Sequence, residues 1–537
     1  MKKFIISLLL IFASAGQLLF AQSLFLEWQT CLGGSSDDYG NSMKLVVGNQ
    51  GLGIVGRTTS NDGNLGCGFQ GNTDAFYATT DTFGSNLYYR CFGGTGYDEF
   101  NSFIEYVPGF YYKYIIGRTS SNDGDVSGNH GSFDAWLLKT TFGGQIMWQK
   151  CIGGTGWEDG FSIVPTSDGN LLMAGITSSD TIDGQATACH GAFDGWLVKM
   201  DTSGNVLWQK CFGGSNSEFF YSVIESSDGN YVVGGFSDSD DGDLSTNLGS
   251  TDYWLLKVDT GGQLLWQKTF GGTGGDEAYS VIETIDNNLM IVGYSYSQDN
   301  DAILTKADPG SSNILMIKID QLGNKLWSNC YGDIGGARSK SVLQEANGNY
   351  RLGCSVSSAT GDASGCNIHG CCDAWMLTLD STGAILNNQC FGSSSVDDGI
   401  KGIVASLEHG HYYFLGQAGN NSGDVTGSHG FDEIWIVKYI DSTSIINKLN
   451  ELKNNDFIVF PNPFNTQIIV SSLSTTLNTN VQIIDLLGRK HYCPYIKQDD
   501  HFIIDSSELN EGIYFVQIFS GTSFINHKLI KLKNASN

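Results

Sequence analysis

Proline is scarce in this chain, six residues in 537, and charge is thin, at 16% of residues. The charge is also one-sided: 29 Lys and Arg face 56 Asp and Glu, a net of −27. Such a surface repels nucleic acid and anionic membranes and removes both from the expected partners. No segment carries the 3.6-residue apolar period of an amphipathic helix, which argues against an α-rich fold. After the N-terminus no apolar run is long enough for a membrane-spanning helix. Catalytic signatures are missing too: the chain has no Gly-x-Ser-x-Gly elbow, no His-Glu-x-x-His and no Gly-rich phosphate loop. Adjacent carboxylates such as Glu158 and Asp159 recur from repeat to repeat, which argues against a unique acid–base pair.

What is present is glycine, 70 residues, and a repeated phrase. It reads Trp28-Gln-Thr-Cys31-Leu-Gly-Gly, Tyr89-Arg-Cys91-Phe-Gly-Gly, Trp148-Gln-Lys-Cys151-Ile-Gly-Gly and Trp208-Gln-Lys-Cys211-Phe-Gly-Gly. It returns as Trp266-Gln-Lys-Thr269-Phe-Gly-Gly, Trp327-Ser-Asn-Cys330-Tyr-Gly-Asp and Asn388-Gln-Cys390-Phe-Gly-Ser. The marker positions 31, 91, 151, 211, 269, 330 and 390 are 60, 60, 60, 58, 61 and 60 residues apart. A fixed period of this size means repeated supersecondary units.

One unit predicts four short strands: Tyr221–Glu225, Tyr231–Phe236, Asp252–Val258 and Leu264–Phe270. Ser227-Asp-Gly-Asn230 and Thr260-Gly-Gly262 are tight-turn signals, since glycine and Asn supply positive φ. Seven such units predict an all-β, seven-bladed β-propeller over residues 23–441. A β-solenoid is the structural alternative. The ends are complementary. The last third-strand phrase, Asp432–Lys438, has no Trp-Gln-Lys partner after it, and Leu24–Cys31 has no third strand before it. The N-terminal strand is therefore expected to close the ring as the outer strand of the last blade.

Residues 1–22 read as a signal peptide: Lys2 and Lys3, an apolar run and a cut after Ala21. Export would usually suggest disulfides among the 13 cysteines. Six of them (Cys31, Cys91, Cys151, Cys211, Cys330, Cys390) hold one place in successive repeats, too far apart to pair with each other. They are expected to be small buried hydrophobes. Cys354, Cys366, Cys371 and Cys372 form a denser group, read as a disulfide or thiols, with Cys354 or Cys366 pairing with Cys371 or Cys372. Zinc is the alternative there, without a second half-site at the usual spacing.

The acidic loops fall into two sets. One holds Asp62, Asp123, Asp125, Asp241, Asp243, Asp362 and Asp424 between second and third strands. The other holds Asp37, Asp38, Asp98, Glu99, Glu158, Asp159, Asp276, Glu277, Asp397 and Asp398 between repeats. Both are expected on one face, around the channel. Asp123-Gly-Asp125 and Asp241-Gly-Asp243 are the candidate calcium ligands, pairs of carboxylates amid carbonyl and Asn oxygens. The competing reading is an Asp-Gly turn whose carboxylate caps its own backbone. His130, His190, His369 and His429 each precede a glycine in the same register and are expected to make a shared structural hydrogen bond.

Residues 442–456 read as a linker and 457–537 as a second module. Residues 446–537 carry equal numbers of each charge, so the acidity belongs to the repeats. The module runs Pro461-Asn-Pro463, Val481-Gln-Ile-Ile-Asp-Leu-Leu-Gly488-Arg, Leu509-Asn-Glu-Gly-Ile-Tyr-Phe-Val516 and Lys528-Leu-Ile-Lys-Leu-Lys533. These phrases, in this order, resemble the C-terminal sorting domain (type A) of type IX secretion cargo in Bacteroidetes. The resemblance implies a small β-sandwich that engages the outer-membrane translocon, with the cargo secreted or held at the cell surface. An ordinary immunoglobulin-like accessory domain is the alternative. The repeats resemble the Trp-Gln-Lys-x-Gly-Gly propellers of the same bacteria, with their loop nearly intact at Ser121-Asn-Asp-Gly-Asp-Val-Ser-Gly-Asn-His130-Gly. That group implies no defined chemistry.

The expected function is a secreted or cell-surface binding module, non-catalytic, for a protein or glycan. The alternatives are a structural surface or adhesin module and a propeller enzyme acting on glycans.

Overall fold

The computed structural model describes residues 24–531 except 47–50, 69–70, 86, 107–111, 184, 187–188, 245, 304–309, 371, 395–398, 407–409, 431, 442–456, 461–465, 473–478, 486–488, 498–500 and 521–522. The signal peptide, the linker, the Pro461–Pro463 phrase, Cys371, Asp397 and Asp398 lie outside the described residues. The chain divides into two compact units, with the boundary at Ser442 and Thr443.

The first unit is all-β, with seven four-stranded antiparallel sheets among the described residues. In the fourth sheet the strands are Glu218–Glu225, Tyr231–Ser237, Asp252–Val258 and Leu264–Phe270, paired in that order. The second and third strands are buried along their whole length, because both of their faces pack against neighbouring sheets. Gly229 (φ 80°) and Gly262 (φ 78°) close the two hairpins in the left-handed region. Asp259 Oδ1 accepts from the N–H groups of Gly261 (2.9 Å) and Gln263 (2.8 Å), which fixes the second turn.

Each hydrophobic cluster is shared by consecutive sheets. Phe220, Val233, Trp254 and Leu256 of the fourth sheet pack with Leu172, Ala174 and Leu197 of the third. Polar locks accompany this packing. Trp208 Nε1 donates to Thr260 O in the next sheet's turn (3.0 Å), Trp266 Nε1 to Gln321 O (3.1 Å) and Lys150 Nζ to Gly204 O (2.7 Å). Inside a sheet, Trp136 Nε1 donates to Gln149 (2.9 Å) and Trp254 to Gln267 (3.1 Å). The Trp and Gln of the repeated phrase are thus fasteners between strands and between sheets.

The seventh sheet is assembled from both ends of the unit. Gly402–Ala405, His411–Ala418 and Glu433–Asp441 pair in order, and Leu24–Leu32 pairs antiparallel to Glu433–Asp441, with Cys31 opposite Trp435. Trp435 Nε1 donates to Gln29 (2.8 Å), the same Trp–Gln bond made across 406 residues. Gly402–Ala405 touches both Ala337–Gln344 of the sixth sheet and Asp38–Leu45 of the first. The arrangement is that of a propeller-like fold.

Three disulfides correct the reading of the repeated cysteines. Cys91, Cys211 and Cys390 bond to Cys67, Cys189 and Cys366, with Cα separations of 5.7, 5.4 and 5.3 Å. The repeated cysteines do not pair with each other; the long loop of the same sheet returns beside its outer strand. Cys31 and Cys151 are buried at this position and Cys330 half-buried. The Cys-rich group is corrected too: Cys366 pairs with Cys390 rather than with Cys371 or Cys372. Cys354 is buried on Tyr350–Val356, where burial raises its thiol pKa. Cys372 Sγ lies 3.8 Å from Ser357 Oγ.

Among its described residues the second unit contains two four-stranded sheets. Phe457–Phe460, Gln467–Ser472, His501–Asp505 and Tyr495–Lys497 form one; Lys490–His491, Thr479–Asp485, Gly512–Ser520 and Ser523–Lys531 form the other. Ile468, Val470, Phe502 and Ile504 of the first sheet share a core with Ile483, Val516 and Leu529 of the second, which makes the unit a small β-sandwich.

Candidate functional site

The carboxylates between repeats are mostly interior, which corrects that half of the expected acidic face, whereas Asp62, Asp123, Asp125, Asp241, Asp243, Asp362 and Asp424 are exposed or half-buried. Asp38, Asp98, Glu158 and Asp276 are fully buried at the start of first strands, and Glu99 and Asp159 are buried beside them. Each starting carboxylate holds the Gly-Gly segment that leads into its sheet. Asp98 Oδ2 accepts from Gly94 N (2.9 Å) and Ser121 Oγ (2.7 Å), and Glu158 accepts from Gly154 N (2.7 Å) and Thr177 Oγ1 (2.8 Å). The candidate calcium ligands are engaged in the same clasp. Asp123 Oδ1 accepts from Thr95 N (2.7 Å) and Asp241 Oδ1 from Ser215 N (2.7 Å). Asp243 Oδ2 accepts from Gly213 N (3.1 Å), while Asp125 lies 4.0 Å from Arg90. Among the described residues no group of three or more His, Cys, Asp or Glu converges as a metal set.

Each histidine of the repeat faces the acid four residues on. His130 Nδ1 lies 2.7 Å from Asp134, His369 Nδ1 3.3 Å from Asp373 and His429 Nδ1 3.1 Å from Glu433; at His190 the backbone N–H donates to Asp194 (2.8 Å). The first glycine of several leading segments sits between two carboxylates: Glu433 and Asp38 at Gly33, Asp134 and Glu158 at Gly153, Asp194 and Glu218 at Gly213, Asp252 and Asp276 at Gly271. A Cβ there would lie within 3.0 Å of both, so only glycine fits. Burial, reinforced by the facing carboxylate, pushes Asp252 up to about 7. Burial also pushes Asp134 up to about 6, against the pull of His130. Asp38, Asp194, Glu218 and Asp276 are raised as well, chiefly by burial.

These shifts set a pH dependence. A carboxyl whose folded pKa is raised binds its proton more tightly when folded, so its contribution is lost as pH rises from the ordinary 3.8 through about 7. Asp168 and Asp286 act on the acid side. Lys199 and Lys318 hold them near 2 against the upward pull of burial, and that contribution is lost as pH falls through about 2. Calorimetry is expected to give a melting temperature higher at pH 5 than at pH 8, by on the order of 5 °C. A melting temperature that rises from pH 5 to pH 8 contradicts it.

The surface that breaks the repeat lies on the first strands, which contact one another from sheet to sheet. Six of them carry a bulge at the same place, where Asn41, Asn101, Phe161, Tyr221, Tyr279 and Lys340 stand. Two residues earlier stand Tyr39, Glu99, Asp159, Phe219, Glu277 and Arg338. This surface has three sectors. In the first to third sheets, Arg118 bridges Glu99 (2.8 Å) and Asp159 (3.3 Å), and Asn101 Nδ2 donates to Asp159 (2.7 Å). Against burial, which raises it, the guanidiniums of Arg118 and Arg57 hold Glu99 below its ordinary value. In the third to fifth sheets aromatic rings follow one another. Phe161 lies 5.1 Å from Tyr221, which stacks on Tyr279 at 4.6 Å, and Tyr279 adjoins Tyr294 at 5.8 Å. Burial first, then Tyr221 and Glu277, raises the Tyr279 phenol, so it stays a neutral donor, bonded to Glu277 (2.9 Å).

The third sector is cationic. Arg338 and Lys340 are exposed on the sixth sheet and Lys401 is half-buried beside the seventh. The Arg338 guanidinium lies over Tyr294 (4.8 Å), Lys340 over Tyr279 (5.2 Å) and Lys401 over Tyr39 (4.9 Å). These cations line a cavity of about 530 Å3 together with Tyr296, Ser311, Ser312, Ser355, Ser357 and Cys372. The sequence reading missed this sector because it followed the loops. The signal was present: aligned repeats put Arg338 where the fifth has Glu277, and Lys340 where it has Tyr279.

Comparison with known proteins decides the tail. Residues 458–532 match the secretion system C-terminal sorting domain. The tail is a type IX sorting domain. A sorting domain of this kind implies contact with the type IX machinery and export to the cell surface or beyond. Among the described residues no helix is long and apolar enough to cross a membrane. The chain also has distant relatives. It is 23% identical over 228 residues to the regulatory protein FlaEY of Caulobacter vibrioides, covering 39% of this chain and 22% of that one. It is 22% identical over 242 residues to an uncharacterized WD repeat-containing protein of Acanthamoeba polyphaga mimivirus, covering 37% and 17%. The matched part therefore spans about a fifth of these relatives' own length. Among solved structures, puromycin hydrolase is 9% identical with a TM-score of 0.40, covering 72% of this chain and 51% of that one. The C-terminal domain of Pseudomonas aeruginosa PilY1 is 11% identical with a TM-score of 0.31, covering 79% and 91%.

Proposed function

We propose that residues 23–441 form a closed seven-bladed β-propeller with the N-terminal strand as the outer strand of its last blade. In this reading the protein is a non-catalytic binding module for a protein or glycan. It belongs with the Trp-Gln-Lys-x-Gly-Gly propellers of Bacteroidetes, is led across the inner membrane by residues 1–22 and is delivered by residues 457–537. One observation carries the binding role. The loops that carry the repeat are absorbed in structural bonds, whereas the first-strand surface differs from sheet to sheet in ring, charge and hydroxyl content. Binding usually concentrates where a rigid scaffold varies. Arg118 bridges Glu99 and Asp159 at 2.8 and 3.3 Å, and burial nevertheless pushes Asp159 up to about 8.

The test is to probe the full chain on arrays of glycans and host proteins, with and without calcium. Saturable binding is expected without added calcium, because Asp123 and Asp241 already bond backbone N–H groups. Binding in neither condition overturns the proposal; binding only with calcium turns the Asp loops from clasps into ligands.

A further inference from the structure

We propose that the cavity beside the sixth sheet takes an acidic saccharide, one bearing carboxylate or sulfate groups. The inference rests on the binding reading above and gives it a ligand class. The cavity, about 530 Å3, falls within the ~300–1,000 Å3 usual for small-ligand sites. In a chain of net charge −27, three cations on adjoining sheets meet at its wall: Arg338, Lys340 and Lys401. Each lies over a tyrosine ring, so its stem is positioned before a ligand arrives. Arg338 is fixed further by bonds from Nη2 to the Tyr296 hydroxyl and from Nε to Ser312 Oγ (3.4 Å), and Lys401 Nζ donates to Gln417 (3.1 Å). Glu277, the nearby carboxylate of the fifth sheet, accepts from Tyr279.

Charge alone would fit any anion; two features favour a sugar. Hydroxyls of Ser312, Ser355 and Ser357 share the wall with the cations, which suits a ligand rich in hydroxyl groups. The stacked pair Tyr221–Tyr279 continues through Tyr294 to Tyr296 at the cavity, a row of half-buried rings whose edges and hydroxyls can meet further sugar units. A guanidinium and an ammonium bind carboxylate and sulfate by charge-assisted hydrogen bonds, while the tyrosines read the ring. The row extends from the third sheet to the cavity, so an oligosaccharide is held at its acidic end and along its length.

The experiment is calorimetric titration of the full chain with three probes of equal length: a uronate oligosaccharide, a sulfated one and a neutral one. The acidic probes are expected to bind at least about tenfold more tightly than the neutral one, less so at high salt. Arg338→Ala and Lys340→Ala are each expected to weaken them by about 10- to 100-fold, the worth of a hydrogen bond to a charged group. Both side chains are exposed, and an unchanged melting temperature checks that the fold is kept. Lys268→Ala, on the outer strand of the fourth sheet, is expected to leave binding unchanged. Equal binding by wild type and both variants overturns the site. Neutral sugars or proteins binding while acidic probes do not overturns the ligand class and leaves the binding reading standing. No binding to any probe or array member overturns both.

Discussion

A chain lacking residues 24–32 is expected to lose cooperative folding of its first unit. The strand Leu24–Leu32 pairs with Glu433–Asp441 from Leu24 opposite Asp441 to Leu32 opposite Ile434. Its loss removes Cys31 and Leu32 from two hydrophobic clusters and leaves the Trp435 indole without Gln29. It also bares a long apolar edge strand, a template for pairing with other chains. Removing one large buried side chain costs about 3–5 kcal/mol, and a whole strand removes several buried contacts at once, against a typical total stability of ~5–15 kcal/mol. Size-exclusion chromatography and thermal melting are the measurements. Aggregation or a broad melt is expected, with a synthetic peptide of residues 24–32 restoring the sharp transition by adding a strand. A monomer that melts like the full chain would show that the first unit does not depend on this strand pairing.

The second large effect concerns Arg118. Arg118→Met is expected to destabilise the protein by about 3–5 kcal/mol at pH 7.5, because it removes the cation that holds buried Glu99 low and that opposes the burial pushing Asp159 up to about 8. Glu99 and Asp159 share that one guanidinium at 2.8 and 3.3 Å, while Arg57 stands 3.6 Å from Glu99 alone. The sign with pH is distinctive. Without Arg118 both carboxyls rise in pKa, so they bind protons more tightly folded than unfolded, and acid returns part of the loss. The gap in melting temperature between variant and wild type should therefore narrow from pH 7.5 to pH 5. A gap that stays constant would mean the cost is lost packing against Tyr97, Phe133 and Trp157, over which the guanidinium lies, rather than stranded charge.

Much of the strand plan was legible because two-residue alternation and Asp-Gly or Gly-Gly turns act locally. The third and fourth strands of the fourth sheet, Asp252–Val258 and Leu264–Phe270, carry the bounds their pattern suggests. First strands start earlier than read: Glu218, not Tyr221, begins the strand in the fourth sheet. A buried acid at a strand start carries no apolar signal, and donors such as the Gly214 N–H and the Ser237 hydroxyl explain its place. The same blindness produced the acidic face, since composition counts Asp38 and Asp98 as charge and cannot register that both are buried.

The candidate site was half legible. Arg338 and Lys340 stand out once the repeats are aligned, yet nothing local says that they share a cavity with Lys401 and with serines drawn from two other segments.

By itself the sequence determined the period, the strands within it, the two modules and the tail's address. Each follows from side-chain alternation, turn chemistry or a contiguous phrase, which need no partner far along the chain. Only the tertiary structure decided which cysteines meet, which carboxylates are buried and which cations converge. Those outcomes depend on the paths of long loops and on the docking of sheet against sheet. There Cys67 is brought to Cys91, Trp435 to Gln29 and Lys401 to Tyr39 by packing that no local pattern encodes.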